Sequence, residues 1–231
     1  YLQPDDKTLP ARLVVWRTSD AKQLGSWFVP NTFALFLSAA DCGRVVAGFS
    51  HGKMMAFDSA EKEPLWVLDD LLNDNHWPHL SPDGNWIVVD SVMDMALVDV
   101  SKGRVACRME YASGRLRTSA VSPDGKRFVV GGNTGQLAWF DRGEKKPTRV
   151  TTACAGGVTG VTFSPDGKKV ACGGHDGTVR VYAAETGTEL AVFRGHRLVT
   201  SELRFNPSGT ELTTCDMAAT CYSWAVDKPN T

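Results

Sequence analysis

The stretch VTGVTFSPDGKKVACGGHDGTVRVYAAETGTELAVFR, Val158 to Arg194, reads as four short strands joined by three tight turns. β-Branched, aromatic and other apolar residues recur through Val158–Phe163, Lys169–Cys172, Thr178–Tyr182 and Glu189–Phe193, as a pleated, packed strand requires. Ser164-Pro165-Asp166-Gly167 separates the first two. Proline presets φ at the second turn position, Asp favours turn conformations, and glycine takes positive φ without steric cost. Gly174-His175-Asp176-Gly177 and Glu185-Thr186-Gly187 supply the other turns, so the tetrapeptide is punctuation and not a site.

The same chemistry recurs along the chain. Ser-Pro-Asp-Gly also stands at Ser81–Gly84 and Ser122–Gly125; Asn206-Pro207-Ser208-Gly209 is a relaxed copy and Ala40-Asp41-Cys42-Gly43 a worn one. Their glycines, 43, 84, 125, 167 and 209, are 41, 41, 42 and 42 residues apart. A second series, Trp16, Phe57, Val98, Phe140, Tyr182 and Trp224, keeps the same step, and Asp58, Asp99 and Asp141 follow three of its members. A period near 40–45 with an aromatic-Asp ending implies an all-β propeller of four-stranded antiparallel blades.

The parse gives complete blades at about 31–68, 75–109, 115–151 and 157–194, with partial blades at both ends. Residues 198–226 supply three strands, and Arg12–Trp16 and Lys22–Phe28 supply two. Residues 1–10 read as a linker, 11–226 as the propeller, and 227–231 as a polar tail. Two closures fit. Lys22–Phe28 completes the last blade to make a ring of five, removing a sticky edge, or the chain is an arc of a larger ring.

Composition excludes some classes of function. A net charge of −1, from 25 basic and 26 acidic residues, does not suit a nucleic-acid binder. No apolar run approaches 18 residues, so no membrane span is expected. Cys42, Cys107, Cys154, Cys172, Cys215 and Cys221 are scattered, without a CxxC, and read as small buried hydrophobes of a reduced protein. Asn206 is followed by Pro207, so no glycosylation acceptor arises there. Both observations favour a cytoplasmic setting.

These motifs resemble the WD-repeat β-propeller family over about residues 11–226. Gly195-His196 is similar to the Gly-His that opens a repeat, Tyr182 and Trp224 take the Trp position, and His175–Tyr182 is similar to the third-strand segment. The resemblance implies a His–Ser/Thr–Asp–Trp hydrogen-bond network in each blade. Aligned on the Trp position, Asp176 is the one aspartate in place; Ala218, Thr134, Val92 and His51 stand at the others. The repeat opened by His196 is therefore expected to lack its partner. One segment, Gly52–Asp58 with Trp66, is similar instead to quinoprotein-type repeats, which hold a quinone cofactor and often calcium in a central funnel.

Catalytic motifs are absent: there is no Gly-x-Ser-x-Gly, no phosphate-cradling Gly-x-x-x-x-Gly-Lys and no His-Glu-x-x-His. His76 and His79 fall in an expected strand, where residues three apart point to opposite faces, so no metal site is read there. His51 and His175 fall in turns, and His196 reads as structural. No cofactor, catalytic residue or metal is assigned. The expectation is a non-catalytic scaffold holding protein or peptide partners on its loop-bearing rim. Candidate contacts are Asp69, Asp70, Leu71, Leu72 and Asp74 in an acidic loop, and Arg115, Arg117, Arg194 and Arg197 in the equivalent loops of other blades. Solvated loops whose leucines tuck against the blade are the plainer reading. An enzyme or cofactor-binding propeller with an axial-funnel site, and a regulatory segment of a longer multidomain chain, are the alternatives.

Overall fold

The computed structural model describes residues 11–17, 20–29, 34–39, 44–49, 53–58, 60–61, 63–69, 71, 80–81, 83–90, 94–110 and 114–227. All regular structure among them is strand. An antiparallel pair, β1 (Ala11–Arg17) and β2 (Lys22–Val29), comes first. The first blade follows as β3 (Ala34–Ala39), β4 (Arg44–Phe49), β5 (Met54–Asp58) and β6 (Trp66–Leu68). The second holds β7 (Trp86–Asp90), β8 (Asp94–Asp99) and β9 (Arg104–Glu110), with Leu80 bridged to Ile87 where its innermost strand belongs.

The third blade is β10 (Leu116–Val121), β11 (Arg127–Gly132), β12 (Gln136–Asp141) and β13 (Arg149–Thr152). The fourth is β14 (Val158–Phe163), β15 (Lys169–Gly174), β16 (Thr178–Ala183) and β17 (Glu189–Arg194). The last has β18 (Thr200–Phe205), β19 (Glu211–Asp216) and β20 (Cys221–Ala225). Every pairing is antiparallel between consecutive strands, as short hairpin connections dictate.

The anchor turns fold as their chemistry requires. Ser122 and Ser164 are buried; each hydroxyl accepts the N–H of the residue five ahead, Arg127 or Lys169, at 2.9 Å. Each also donates to its turn aspartate, at 2.7 Å to Asp124 and 2.6 Å to Asp166. In the relaxed copy Asn206 takes the serine's place: its Oδ1 accepts the N–H groups of Thr210 and Glu211, each at 3.0 Å.

The apolar core lies between blades. Val46, Met54 and Leu71 of the first pack with Ile87, Val89 and Val98 of the second. Phe128 and Phe140 stack at 5.1 Å in the cluster joining second to third. Trp139 and Tyr182 meet edge-on at 6.2 Å between third and fourth, and Phe193 stacks on Trp224 at 5.0 Å between fourth and last. Middle strands are consequently buried on both faces: β11 (RFVVGG) and β15 (KVACGG) are apolar or small after their first residue. By contrast β19 (ELTTCD) alternates exposed and buried, so the last blade packs on one face only among the described residues.

β2 bears on the two closures. It pairs with β1 along its length, and its Trp27 packs on Phe57 of the first blade at 4.9 Å. Among the described residues it is hydrogen-bonded to β1 and not to β20, so the ring of five built on Lys22–Phe28 is not shown, and the described blades are consistent with an arc.

A further regularity escaped the sequence reading. The register shifts within β3, β10, β14 and β18 between Ala34/Phe36, Leu116/Thr118, Val158/Gly160 and Thr200/Glu202. Each innermost strand thus begins with a bulge, an extra residue that re-aims side chains.

Candidate functional site

The last blade retains a complete polar network, contrary to the sequence expectation. His196, at the head of the loop between β17 and β18, places Nδ1 3.2 Å from Asp216 Oδ2 and Nε2 2.7 Å from Thr214 Oγ1. The Trp224 indole N–H donates to the same hydroxyl at 2.7 Å. A proton on His196 Nδ1 satisfies every group: the ring donates to Asp216, the Thr214 O–H donates to Nε2, and the Thr214 oxygen accepts from Trp224. The aspartate is Asp216, two positions before Ala218 where alignment placed it. Alignment by column missed it because a carboxylate at the end of β19 reaches the ring as well as one within the turn.

Asp216 also shapes the turn after β19. Its Oδ1 accepts the N–H groups of Ala218 at 2.9 Å and Thr220 at 3.0 Å. Burial works against its charge, but the Thr220 N–H, the His196 ring and the Ala218 N–H outweigh it and hold the carboxyl below its ordinary pKa. Met217 N–H donates to Val199 O at 3.1 Å, tying this turn to the 195–199 loop.

In the fourth blade the equivalent positions, 42 residues earlier, are Cys154, Cys172 and Tyr182. Both thiols are buried; contact with Cys154 and burial push the Cys172 thiol well up. Two buried thiols and a tyrosine stand there in place of the histidine, threonine and tryptophan. Asp176, in place as the alignment said, accepts instead from Ala155 N–H and from the Thr178 N–H and hydroxyl.

Around the intact network the rim displays exposed apolar and basic side chains. Met217 is 73% exposed, Leu198 48% and Tyr222 38%. The Tyr222 hydroxyl donates to Gly195 O at 3.4 Å, and its ring meets His196 at 4.8 Å. Arg197 and Arg194 are exposed beside them and make no ion pair among the described residues. Arg194 is the last residue of β17 and not a loop residue.

The other candidate contacts divide. Arg115 is exposed and its backbone brackets Asn133 of the turn after β11, so it does lie on the rim. Arg117 does not: it is the bulge residue of β10, within a strand. With Thr159 and Ser201, the bulge residues of β14 and β18, and with Glu202, it lines an axial groove of about 290 Å³. Asp69 is exposed and pairs with Lys53 at 3.6 Å. Leu71 is buried in the core between first and second blades, so it packs and is not presented. Asp70, Leu72 and Asp74 lie outside the described residues, as do His51, His76 and His79; His175 is exposed. No group of three metal-ligating side chains occurs among the described residues.

The cysteines correct another expectation. Cys215 and Cys221 form a disulfide across β19 and β20, with Cα atoms 4.1 Å apart. Cys107, Cys154 and Cys172 are free, and Cys42 lies outside the described residues.

Residues 145–183 match the family model described as WD domain, G-beta repeat. The match spans β13 through β16: the outer strand of one blade and three strands of the next, the offset that links neighbouring blades through one repeat. WD repeats generally serve as protein-interaction scaffolds and are generally non-catalytic. No curated protein matches the chain.

Proposed function

We propose that this chain is a non-catalytic protein-interaction platform, and that a partner engages the rim where the fourth and last blades meet, through Arg194, Arg197, Leu198, Met217 and Tyr222. One observation carries the reading: large apolar side chains are exposed on backbone fixed by a His–Thr–Asp–Trp network whose first three members are buried. Apolar patches rimmed by polar groups mark contact sites. Two exposed arginines that make no ion pair among the described residues give this one a sign, favouring an acidic partner segment with an apolar anchor.

Selection from a random displayed-peptide library tests this. Enriched peptides should combine Asp or Glu with a bulky apolar residue. R197E and M217D should each weaken them at least tenfold, while E211R on the far side of β19 leaves them bound. Peptides insensitive to both rim substitutions would refute the assignment. A second reading, small-molecule binding or catalysis in the axial groove, draws support from Arg117 and Glu202 lining one void. Thermal shifts against a metabolite panel, abolished by R117A and not by R197E, would favour it.

A further inference from the structure

We propose that the Cys215–Cys221 disulfide is a redox-operated brace that holds the rim patch in its binding shape. The inference rests on the rim being the partner surface and adds how that surface is controlled. Cys215 and Cys221 face each other across β19 and β20 and enclose the turn 216–220, which carries both Asp216 and Met217. In the third and fourth blades the matching pairs are Gly131 with Leu137 and Gly173 with Val179.

Those glycines are small for a reason. A Cβ on Gly131 would sit 2.6 Å from Val158 of the next blade, and one on Gly173 would sit 2.9 Å from Thr200. Over the last blade no further strand packs among the described residues, so a cysteine fits at 215, and Cys221 is exposed. The bond therefore stands where a reductant reaches it, whereas Cys154 and Cys172 are buried.

The enclosed turn needs a brace. Ala219 has φ 59°, and the third and fourth blades carry Gly135 at 78° and Gly177 at 69° in the matching place. An L-residue is disfavoured in that region and glycine is not. The turn nevertheless holds Asp216 against His196 and Met217 against Val199. Untying it releases Ala219 to relax and loosens both contacts.

The chemistry balances with a dithiol as reductant. Its thiolate attacks Cys221 Sγ, the S–S bond breaks, and Cys215 leaves as a thiolate that takes a proton. The second thiol then displaces Cys221, so two cysteine thiols form as the dithiol is oxidised to its own disulfide.

Hydrogen exchange on the whole chain, with and without dithiothreitol, tests the brace with no partner present. We expect iodoacetamide to label Cys215 and Cys221 only after reduction, and the Met217 and Thr220 amides to exchange at least tenfold faster. C215S/C221S should exchange fast in both conditions, and A219G in that background should restore much of the protection. A disulfide that survives dithiothreitol in native buffer, or exchange unchanged by its loss, overturns the brace. The library-selected peptides read the control itself: weaker binding after reduction of wild type but not of C215S/C221S supports it, and equal binding overturns it. Failure of every peptide to depend on R197E or M217D would instead sink the platform reading, leaving the exchange result to decide the brace.

Discussion

Thr214→Val removes one oxygen from the centre of the last blade and leaves the side-chain shape almost unchanged. The hydroxyl it deletes is wholly buried and serves two partners, His196 and Trp224, each at 2.7 Å. His196 has no solvent-exposed side-chain surface, so its stranded ring nitrogen costs about 1–3 kcal/mol. Trp224 is only half-buried and recovers a water, so its loss is about 1 kcal/mol. We expect destabilisation of about 2–4 kcal/mol in all, read as a lower urea midpoint at unchanged m. Cys172→Val at the matching position of the fourth blade is the control; it strands no such network and should cost about 1 kcal/mol or less. A T214V midpoint within about 0.5 kcal/mol of wild type, or a larger effect at Cys172, would refute the view that the network is what fixes this blade.

Further outcomes follow from the same structure. Gly135→Ala should cost about 2 kcal/mol or more, because the backbone sits at φ +78° and the new Cβ would lie 1.9 Å from the Cys154 carbonyl oxygen. Gly143→Ala, at φ +100° with nothing within 4 Å, should cost about half as much in the same unfolding assay. Ser164→Ala strands the Lys169 N–H and should cost about 1–2 kcal/mol by urea unfolding. Asp166, hydrogen-bonded by Ser164 and by the Lys168 N–H, and Asp216 both have carboxyls held below the ordinary pKa. Their contribution is present above the unfolded value near about 4 and is lost as pH falls through the folded one. The thermal midpoint should therefore drop between about pH 5 and 2; a flat midpoint over that range would count against it, and Asp216→Asn should flatten the slope.

Much of this architecture was open to reading because its determinants are local. A Ser-Pro-Asp-Gly turn closes on itself through Ser122 and Asp124 or Ser164 and Asp166, so its period exposes the blades directly. The site was less legible. Asp216 meets His196 from 20 residues away, and column alignment has no means to see that a strand-end carboxylate substitutes for a turn carboxylate. Arg117 looked like a loop arginine because a bulge leaves no compositional mark, although Arg117, Thr159 and Ser201 keep the 42-residue step. The disulfide did have a signal. ELTTCD alternates where RFVVGG and KVACGG do not, which marks a one-sided blade with room for an accessible bond. The place of β2 was hard to read for a related reason: strand count alone does not say which edge a strand joins, and β2 pairs with β1.

The buried serines of the anchor turns bear on how the chain is seen by modifying enzymes. Ser81, Ser122 and Ser164 each precede a proline, the minimal signature that proline-directed kinases accept. Yet all three side chains are sealed, and in Ser122 and Ser164 the hydroxyl already gives its proton to an aspartate and takes a backbone N–H. A phosphate there would face that aspartate with like charge in a space without room for it. Phosphorylation at these serines would thus report a blade that has opened or has yet to form, making the repeat's own punctuation a mark of unfinished folding.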